Sequence, residues 1–190
     1  MELIAPHCDI VERLPLIPPS AQVRAIFLRN VELQVARLGQ LEAYKSYFGD
    51  ELPPAHAFCH VGDYLVRVAC AGALVASPER LHEGVFRIAK SNASTFVESL
   101  LGRVMLRALS TDPWKLMEQG LAARRQSFTY GHWDMVRHND RFMEVVHRSE
   151  YVWLESEVAG AACGTFEPIG ITDVRTVLVD RFNGSTLIRW

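Results

Sequence analysis

Apolar residues recur at the spacing of a helix face through the first two thirds of the chain. They predict a first helix over residues 20–39, with Ser20 as its N-cap. The same spacing predicts further helices over residues 41–48, 57–76, 77–109 and 113–125. Two of these begin where a proline follows a capping residue, at Ser77-Pro78 and at Asp112-Pro113. The first two thirds are therefore predicted to be mainly α-helical.

The pattern changes to alternation after residue 126. Alternating runs predict two strands, a helix over residues 150–164, and two more strands that end at Trp190. Asn183-Gly184 predicts a type I′ hairpin between the last two strands, since both residues tolerate positive φ. The sequence thus predicts an α+β fold: an N-terminal helical layer packed on a C-terminal twisted antiparallel sheet of about four strands, in the order ββαββ.

The whole chain, residues 1–190, is expected to form one domain. It shows no repeat, low-complexity tract or linker composition, and its 49% hydrophobic content is enough for a sizeable core. We expect an extended, proline-containing arm over residues 1–19, a mainly helical part over residues 20–125, and the ββαββ part over residues 126–190.

Charge and cysteine content narrow the classes of partner and compartment. The formal net charge of −2 gives no basic excess for nucleic acid or an anionic membrane, so neither is expected as a partner. The four cysteines show no C-x-x-C spacing, which favours reduced thiols in the cytoplasm. No stretch has the length and apolarity of a signal peptide or membrane span.

Several segments resemble an uncharacterised family of myxobacterial proteins of about 190 residues. They read P-P-S-A-Q-V-R-A-I-F-L-R-N-V, D-Y-L-V-R-V-A-C-A-G-A-L, L-L-G-R-V-M-L-R-A-L-S-T-D-P-W-K-L-M, S-F-T-Y-G and L-I-R-W. That family is distantly similar to a superfamily of 4-vinyl-reductase-type ligand-binding domains, Bet3-like transport-particle subunits and heme nitric-oxide-binding domains. The resemblance implies helices against a twisted antiparallel sheet, frequent dimerisation and an apolar pocket in some members.

The heme-binding branch of that superfamily holds the porphyrin carboxylates with a Tyr-x-Ser-x-Arg motif, which this sequence lacks. His82, in R-L-H-E-G, is the candidate axial histidine on a predicted helix, and no such motif supports it. We therefore expect no cofactor, and heme in particular is not expected.

Aromatic residues are the candidates for a ligand-binding site. If a pocket exists between the helices and the sheet, apolar groups should line it with few polar anchors. The candidate lining residues are Phe58, Tyr64, Phe96, Leu100, Tyr130 and Trp153.

Three residues in P-A-H-A-F-C-H have the spacing of metal ligands. His56, Cys59 and His60 would share a helix face at positions i, i+3 and i+4, and these donors suit zinc. A fourth ligand is not evident, so surface histidines and a buried cysteine near a helix start are the favoured interpretation. Zinc at this site is the alternative.

Histidines and carboxylates also gather in the first predicted hairpin. They are His132, His138 and His147, with Asp134, Asp140 and Glu144. A metal-dependent enzyme could use them, but alternation scatters them over both sheet faces, which favours a polar surface. Cys163, among small residues, is expected to be a buried thiol that faces the sheet.

The leading functional hypothesis is a non-enzymatic regulatory or sensory domain. We expect a cytoplasmic homodimer that binds a small apolar ligand or a protein partner. The alternatives are the metal-dependent enzyme and a structural assembly subunit without a ligand.

Overall fold

A computed structural model describes the backbone of residues 1–98 and 112–190, and the side chains of residues 1–93 and 112–190. The described chain divides into two compact units. One comprises Met1–Ile88 with Phe128–Tyr130, and the other comprises Ala89–Ser127 with Gly131–Trp190. The calls on residues 99–111, including Leu100, lie outside the described residues.

Helices dominate the first unit. Their bounds are α1 Ile10–Arg13, α2 Ile26–Arg37, α3 Leu41–Phe48, α4 Val61–Val75 and the beginning of α5 Leu81–Glu98. The first 19 residues were predicted as an extended arm, which is wrong: they hold α1 and a 3-10 turn, Leu14–Leu16. Ile4, Ile10 and Ile17 are buried there, so apolar burial fixes this segment despite its prolines.

Two short strands occupy positions that the periodicity assigned to helices. β1, Gln22–Arg24, pairs antiparallel with β2, Phe58–His60. The predicted helix over residues 20–39 therefore begins only at Ile26, and the helix predicted over residues 57–76 begins at Val61. Each strand is three residues long, too short for alternation to separate it from the first turn of a helix.

Glycines set the contact between α4 and α5 in the first unit. A Cβ built on Gly84 would lie 2.0 Å from the carbonyl oxygen of Gly72, and one on Gly72 would lie 2.7 Å from the carbonyl oxygen of Leu81. The two helix backbones thus touch without side chains between them.

The second unit contains the antiparallel sheet and two helices. Its elements are α6 Pro113–Ser127, β3 His132–Asn139, β4 Phe142–Arg148, a π-helical turn Leu154–Val158, α7 Ala159–Phe166, β5 Asp173–Leu178 and β6 Gly184–Arg189. Asp112 begins α6 as predicted, because its Oδ1 accepts hydrogen bonds from the N–H groups of Trp114 (3.1 Å) and Lys115 (3.2 Å). The ββαββ order and the α+β class are confirmed.

The four strands lie in the order β3-β4-β6-β5, and every neighbouring pair is antiparallel. Residues Met143 and Val145 of β4 and Ile188 of β6 face a core that includes Leu121 of α6 and Phe166 of α7. These two helices therefore cover one face of the sheet.

Glycine also sets a close contact in the second unit. Cys163 lies beside Gly164 in α7, and a Cβ on Gly164 would lie 2.3 Å from the carbonyl oxygen of Lys90 in α5. The close approach is thus to a helix. Cys163 beside it is half-buried, and burial raises the pKa of its thiol, which favours the unreactive form.

The turn between β5 and β6 is longer than the two-residue hairpin that Asn183-Gly184 predicts. Gly184 is the first residue of β6, and Val179–Asn183 form the loop. Oδ1 of Asp180 accepts hydrogen bonds from the N–H groups of Phe182 (2.8 Å) and Asn183 (2.9 Å). This side-chain-supported turn replaces the type I′ geometry.

Among the described residues, no single helix is long and apolar enough to cross a membrane. The pair Val61–Val75 and Pro78–Ala93, bent by 117°, meets those criteria only when taken together.

We predict that Gly84→Ala lowers the free energy of unfolding by about 1–3 kcal/mol, because the methyl group would overlap the Gly72 backbone. Urea denaturation measures the change. The matched control is Gly120→Ala on the exposed side of α6, where the nearest atom is 3.9 Å away. That variant should gain about 0.5–1 kcal/mol from helix propensity. A Gly84→Ala variant as stable as the control would contradict the α4–α5 contact.

Candidate functional site

The structure brings two of the predicted pocket residues into one aromatic cluster. Tyr64 packs edge-on against Phe27 at 6.3 Å between ring centroids, and Phe27 packs against Phe128 at 4.8 Å. Phe128 in turn packs against Tyr130 at 5.7 Å. Tyr64 and Tyr130 are both buried, so this cluster is part of the apolar interior of the first unit.

The other predicted pocket residues do not join that cluster. Phe58 is 39% exposed, and the guanidinium of Arg24 lies over its ring at 4.2 Å. Trp153 is fully buried within the second unit. The side chain of Phe96 and the whole of Leu100 lie outside the described residues. The six-residue lining thus stays a prediction.

The zinc alternative relied on a shared helix face that the structure does not form. Cys59 and His60 are consecutive residues of β2, so their side chains point to opposite faces, and His56 is exposed in the preceding turn. Nδ1 of His60 accepts a hydrogen bond from Gly62 (3.1 Å), which caps α4, and its Nε2 donates to the carbonyl of Pro18 (3.2 Å). The described residues contain no group of three potential metal ligands.

The histidines of the β3–β4 hairpin are separated rather than brought together. Nε2 of His132 lies 2.8 Å from Oδ1 of Asp134, and Nε2 of His138 lies 2.8 Å from Oε2 of Glu144. Both pairs are partly exposed to solvent. The separation leaves the predicted hydrolytic constellation unassembled.

His147 differs from the other hairpin histidines, and the prediction that it lies on a polar surface is wrong. It is 1% exposed and shares a 2.8 Å hydrogen bond with the hydroxyl of Thr186 on β6. Its ring packs edge-on against Trp133 of β3 at 4.4 Å. Burial, followed by the positive charge of Arg124, lowers the pKa of His147 to about 3. His147 is therefore neutral in the folded protein near neutral pH.

A buried ion pair lies beside His147. Glu150 is 0% exposed, and its Oε2 accepts hydrogen bonds from Nη2 of Arg124 (2.5 Å) and from Nε1 of Trp133 (2.6 Å). The guanidinium of Arg124 also lies over the Trp133 ring at 4.6 Å. We call Arg124, Trp133, His147, Glu150 and Thr186 the Glu150 cluster.

Local backbone geometry turns the side chain of Glu150 inward. Ser149 has a φ of 52°, and its N–H donates to Oδ1 of Asn183 (3.1 Å). The N–H of Glu150 donates to the carbonyl of Phe182 (2.8 Å). The segment after β4 is thus tied to the β5–β6 loop, and the π-helical turn begins only at Leu154.

Gly131, like Ser149, has a positive φ in this region. Its φ is +69°, and a Cβ there would lie 2.7 Å from Nη2 of Arg124 and 3.3 Å from Oε2 of Glu150. Glycine therefore provides both the left-handed turn that ends before β3 and the space for the ion pair. Because of this turn, the strand predicted from Phe128 begins only at His132.

The chemistry of the Glu150 cluster is that of a structural polar network. The carboxylate and the guanidinium engage each other, and the Thr186 hydroxyl is bonded to His147. Among the described residues, Oε1 of Glu150 and Nδ1 of His147 are buried without a hydrogen-bond partner, so the bonds through Oε2 and Nε2 hold this network together. The cluster thus positions α6, β3 and the segment after β4, and it assembles no nucleophile and base of the kind that hydrolysis needs.

Comparison with known proteins gives a fold and no family assignment. The sequence matches no protein-family model and no curated protein. The structure resembles the Fe(II) unliganded H-NOX protein from K. algicida, with a TM-score of 0.67 and 12% identity, over 87% of this chain and 95% of that one. It also resembles the H-NOX protein from S. oneidensis in the Fe(II)NO state, with a TM-score of 0.61 and 8% identity, over 87% and 98%.

A third H-NOX structure, solved to probe heme distortion, has a TM-score of 0.60 and 12% identity, over 88% of this chain and 94% of that one. Identities this low show the fold alone. Among the branches that the sequence resembles, the neighbours agree with the heme nitric-oxide-binding one. They contradict the prediction that no cofactor, and heme in particular, is expected, because these neighbours are heme proteins. The myxobacterial resemblance stays a prediction.

We predict that His147 makes stability depend on pH. The pKa of His147 is about 3 in the folded protein, below the ordinary value of 6.5. Between about pH 3 and 6.5 the imidazole is therefore protonated in the unfolded chain and neutral in the folded chain. The free energy of unfolding should therefore fall by about 1.4 kcal/mol per unit as pH drops through this window. Urea denaturation of wild type and His147→Gln, repeated at intervals of roughly one pH unit between about pH 4 and 6.5, measures this change.

In His147→Gln the slope should be smaller than in wild type by about 1.4 kcal/mol per pH unit, because only carboxylates with lowered pKa values, such as Glu144, still contribute. The exposed control His132→Gln should keep the contribution of His147. Equal slopes in wild type and His147→Gln would contradict a buried neutral imidazole.

We also predict that Arg124→Ala costs about 3–5 kcal/mol of stability, because it leaves the Glu150 carboxylate buried without its cation. Arg125 is adjacent on the same helix and exposed, so Arg125→Ala should change stability by less than about 0.5 kcal/mol. Thermal or urea denaturation measures both variants. Equal losses in the two variants would show that the ion pair is not what matters.

Proposed function

We propose that this chain is a sensory domain that binds a small ligand, with heme as the group that holds it, and that it is not an enzyme. One observation carries the proposal: the H-NOX fold extends over 87% of the chain and 95% of the K. algicida protein with a TM-score of 0.67.

His82 is the candidate axial ligand, because it is the one histidine that lies in a helix. All seven histidines lie in the described residues: His7 and His56 are in turns, and His60, His132, His138 and His147 are in strands. His82 is half-buried in the first turn of α5, and an imidazole carried on a helix fits axial ligation.

The α4–α5 contact positions that histidine. Gly84, two residues after His82, touches the backbone of Gly72, so the first turn of α5 has little freedom to shift. When bound, heme supplies an iron to which a small diatomic ligand binds, and nitric oxide is the ligand of the S. oneidensis neighbour. The chain lacks Tyr-x-Ser-x-Arg, so other residues of this chain would bind the porphyrin carboxylates.

The finer parts of the proposal come from the sequence. Dimerisation follows from the family resemblance, a cytoplasmic location follows from the cysteine pattern, and a protein partner is the alternative to a small ligand. The proposed ligand environment is apolar, with Tyr64 and Tyr130 of the buried aromatic cluster as its first candidates.

We predict that purified protein mixed with hemin gives the Soret absorption band of bound heme. His82→Ala should lose that band or shift it, because the iron loses its axial imidazole. His132→Ala is the matched control, since His132 is exposed and paired with Asp134, and it should leave the spectrum unchanged. Circular dichroism verifies that both variants are folded.

A folded wild type without a Soret band would overturn the heme part of the proposal. Native mass spectrometry of protein purified without added hemin then tests the broader part. A co-purifying small molecule would support a sensory ligand-binding domain, and a bare chain with no bound molecule would overturn it.

A further inference from the structure

The Asn183-Gly184 pair lies where the β5–β6 loop meets β6, and its glycine has no room for a side chain. A Cβ on Gly184 would lie 2.4 Å from the carbonyl oxygen of Val177 and 3.1 Å from Cδ1 of Leu154. The first of these atoms belongs to the backbone of β5, which cannot move aside without distorting the sheet. Packing therefore requires glycine directly after Asn183.

Both ends of the Asn183 side-chain amide form hydrogen bonds. Nδ2 donates to the two carboxylate oxygens of Asp180, at 2.8 Å each, and Oδ1 accepts from the N–H of Ser149 (3.1 Å). An amide supplies a donor and an acceptor at the same time, whereas a carboxylate supplies acceptors alone. Hydrogen bonding therefore requires asparagine directly before Gly184.

These two requirements produce a dipeptide that is prone to deamidation, because glycine has no side chain to hinder attack by its backbone nitrogen. That nitrogen attacks Cγ of Asn183 and forms an N–Cγ bond, the Cγ–Nδ2 bond breaks, and ammonia leaves with the proton of the glycine N–H. Water then opens the five-membered imide and leaves aspartate or isoaspartate at position 183. Of the four asparagines in the chain, only Asn183 precedes a glycine.

We propose that Asn183 is a site of spontaneous deamidation, that its hydrogen bonds to Asp180 set the rate in the folded protein, and that the reaction detaches the Ser149–Glu150 segment from the β5–β6 loop. The attack requires the Asn183 amide to rotate out of its bonds to Asp180 and Ser149. The reaction therefore proceeds through local opening of the loop.

Deamidation replaces the donor of this loop by a negative charge. The N–H of Phe182, followed by the Asn183 amide, lowers the pKa of Asp180, so this carboxyl is charged near neutral pH. A second carboxylate at position 183 would face it without a donor between them, and the two like charges repel. The repulsion draws position 183 away from the N–H of Ser149.

The segment that loses this contact is the one that turns Glu150 inward. Ser149 has a φ of 52°, and the N–H of Glu150 donates to the carbonyl of Phe182 in the same loop. An opened loop removes both backbone tethers at once. Modification of one surface amide therefore reaches the Glu150 cluster.

We predict that Asp180→Ala speeds deamidation of Asn183 in the folded protein at least about tenfold, because it removes the bonds that hold the amide. Asp180→Asn keeps one acceptor oxygen, and its rate should lie between those of wild type and Asp180→Ala. Incubation at mildly alkaline pH, followed by digestion and mass spectrometry, measures the converted fraction. Asn139, which precedes Asp140, is the internal control and should react far more slowly.

Asn183→Asp tests the consequence of the reaction. Hydrogen exchange of the Ser149 and Glu150 amides should be at least about tenfold faster in this variant than in wild type. Asn139→Asp is the matched control, since Oδ1 of Asn139 also accepts a backbone N–H, that of Arg141 (2.9 Å). It should leave the exchange at Ser149 and Glu150 unchanged.

Equal rates of deamidation in wild type and Asp180→Ala would contradict control by Asp180, and an unmodified Asn183 in both proteins would overturn the site. Unchanged exchange in Asn183→Asp would sink the link to Glu150. Circular dichroism verifies that each variant is folded. If Asp180→Ala does not fold, wild type in urea replaces it: deamidation should be at least about tenfold faster there than in the folded protein, and an equal rate would refute the proposal.

Discussion

The buried carboxylate of Glu150 is the constraint on which the second unit depends. A buried charge is costly unless it is paired and hydrogen-bonded. Arg124 and Trp133 supply a cation and two hydrogen bonds to Oε2, while Oε1 has no hydrogen-bond partner among the described residues. These partners come from α6 and β3, while the backbone of Glu150 is bonded to the β5–β6 loop. One side chain thus links a helix, a strand and a loop that are distant in sequence.

Much of the fold follows from periodicity and capping. The order of the helices, the start of α6 at Asp112-Pro113 and the ββαββ part are all legible in the sequence. The short strands β1 and β2 are not, because each depends on pairing with the other across more than thirty residues. The loop before β6 also departs from expectation, because the Asp180 side chain offers hydrogen bonds that a two-residue turn would not use.

The Glu150 cluster could not be predicted by the same reasoning. Glu150 precedes a helix-like pattern and reads as a solvated residue, and its burial depends on the positive φ of Ser149. His147 alternates with Met143 and Val145 along β4, which is the one sequence signal that it faces the core. Histidine is a polar residue, and for that reason a surface position was predicted for His147.

Fold and chemistry give different amounts of information about function. A sheet and helices of this kind accept many sites, so the likeness to H-NOX proteins at 12% identity shows the fold and does not identify a ligand site. Of the seven histidines, His82 is the one that lies in a helix, and for that reason we propose it as the axial ligand. The buried polar residues of the Glu150 cluster have a structural role.

The contact between Gly72 and Gly84 has a mechanical consequence. Where side chains separate two helices, rotamer changes can accommodate a small shift of one helix. Two backbones in direct contact have no side chains between them that could do so. A displacement of the first turn of α5 would therefore move α4 as well. The two glycines couple the position of α4 to that of the turn that carries His82.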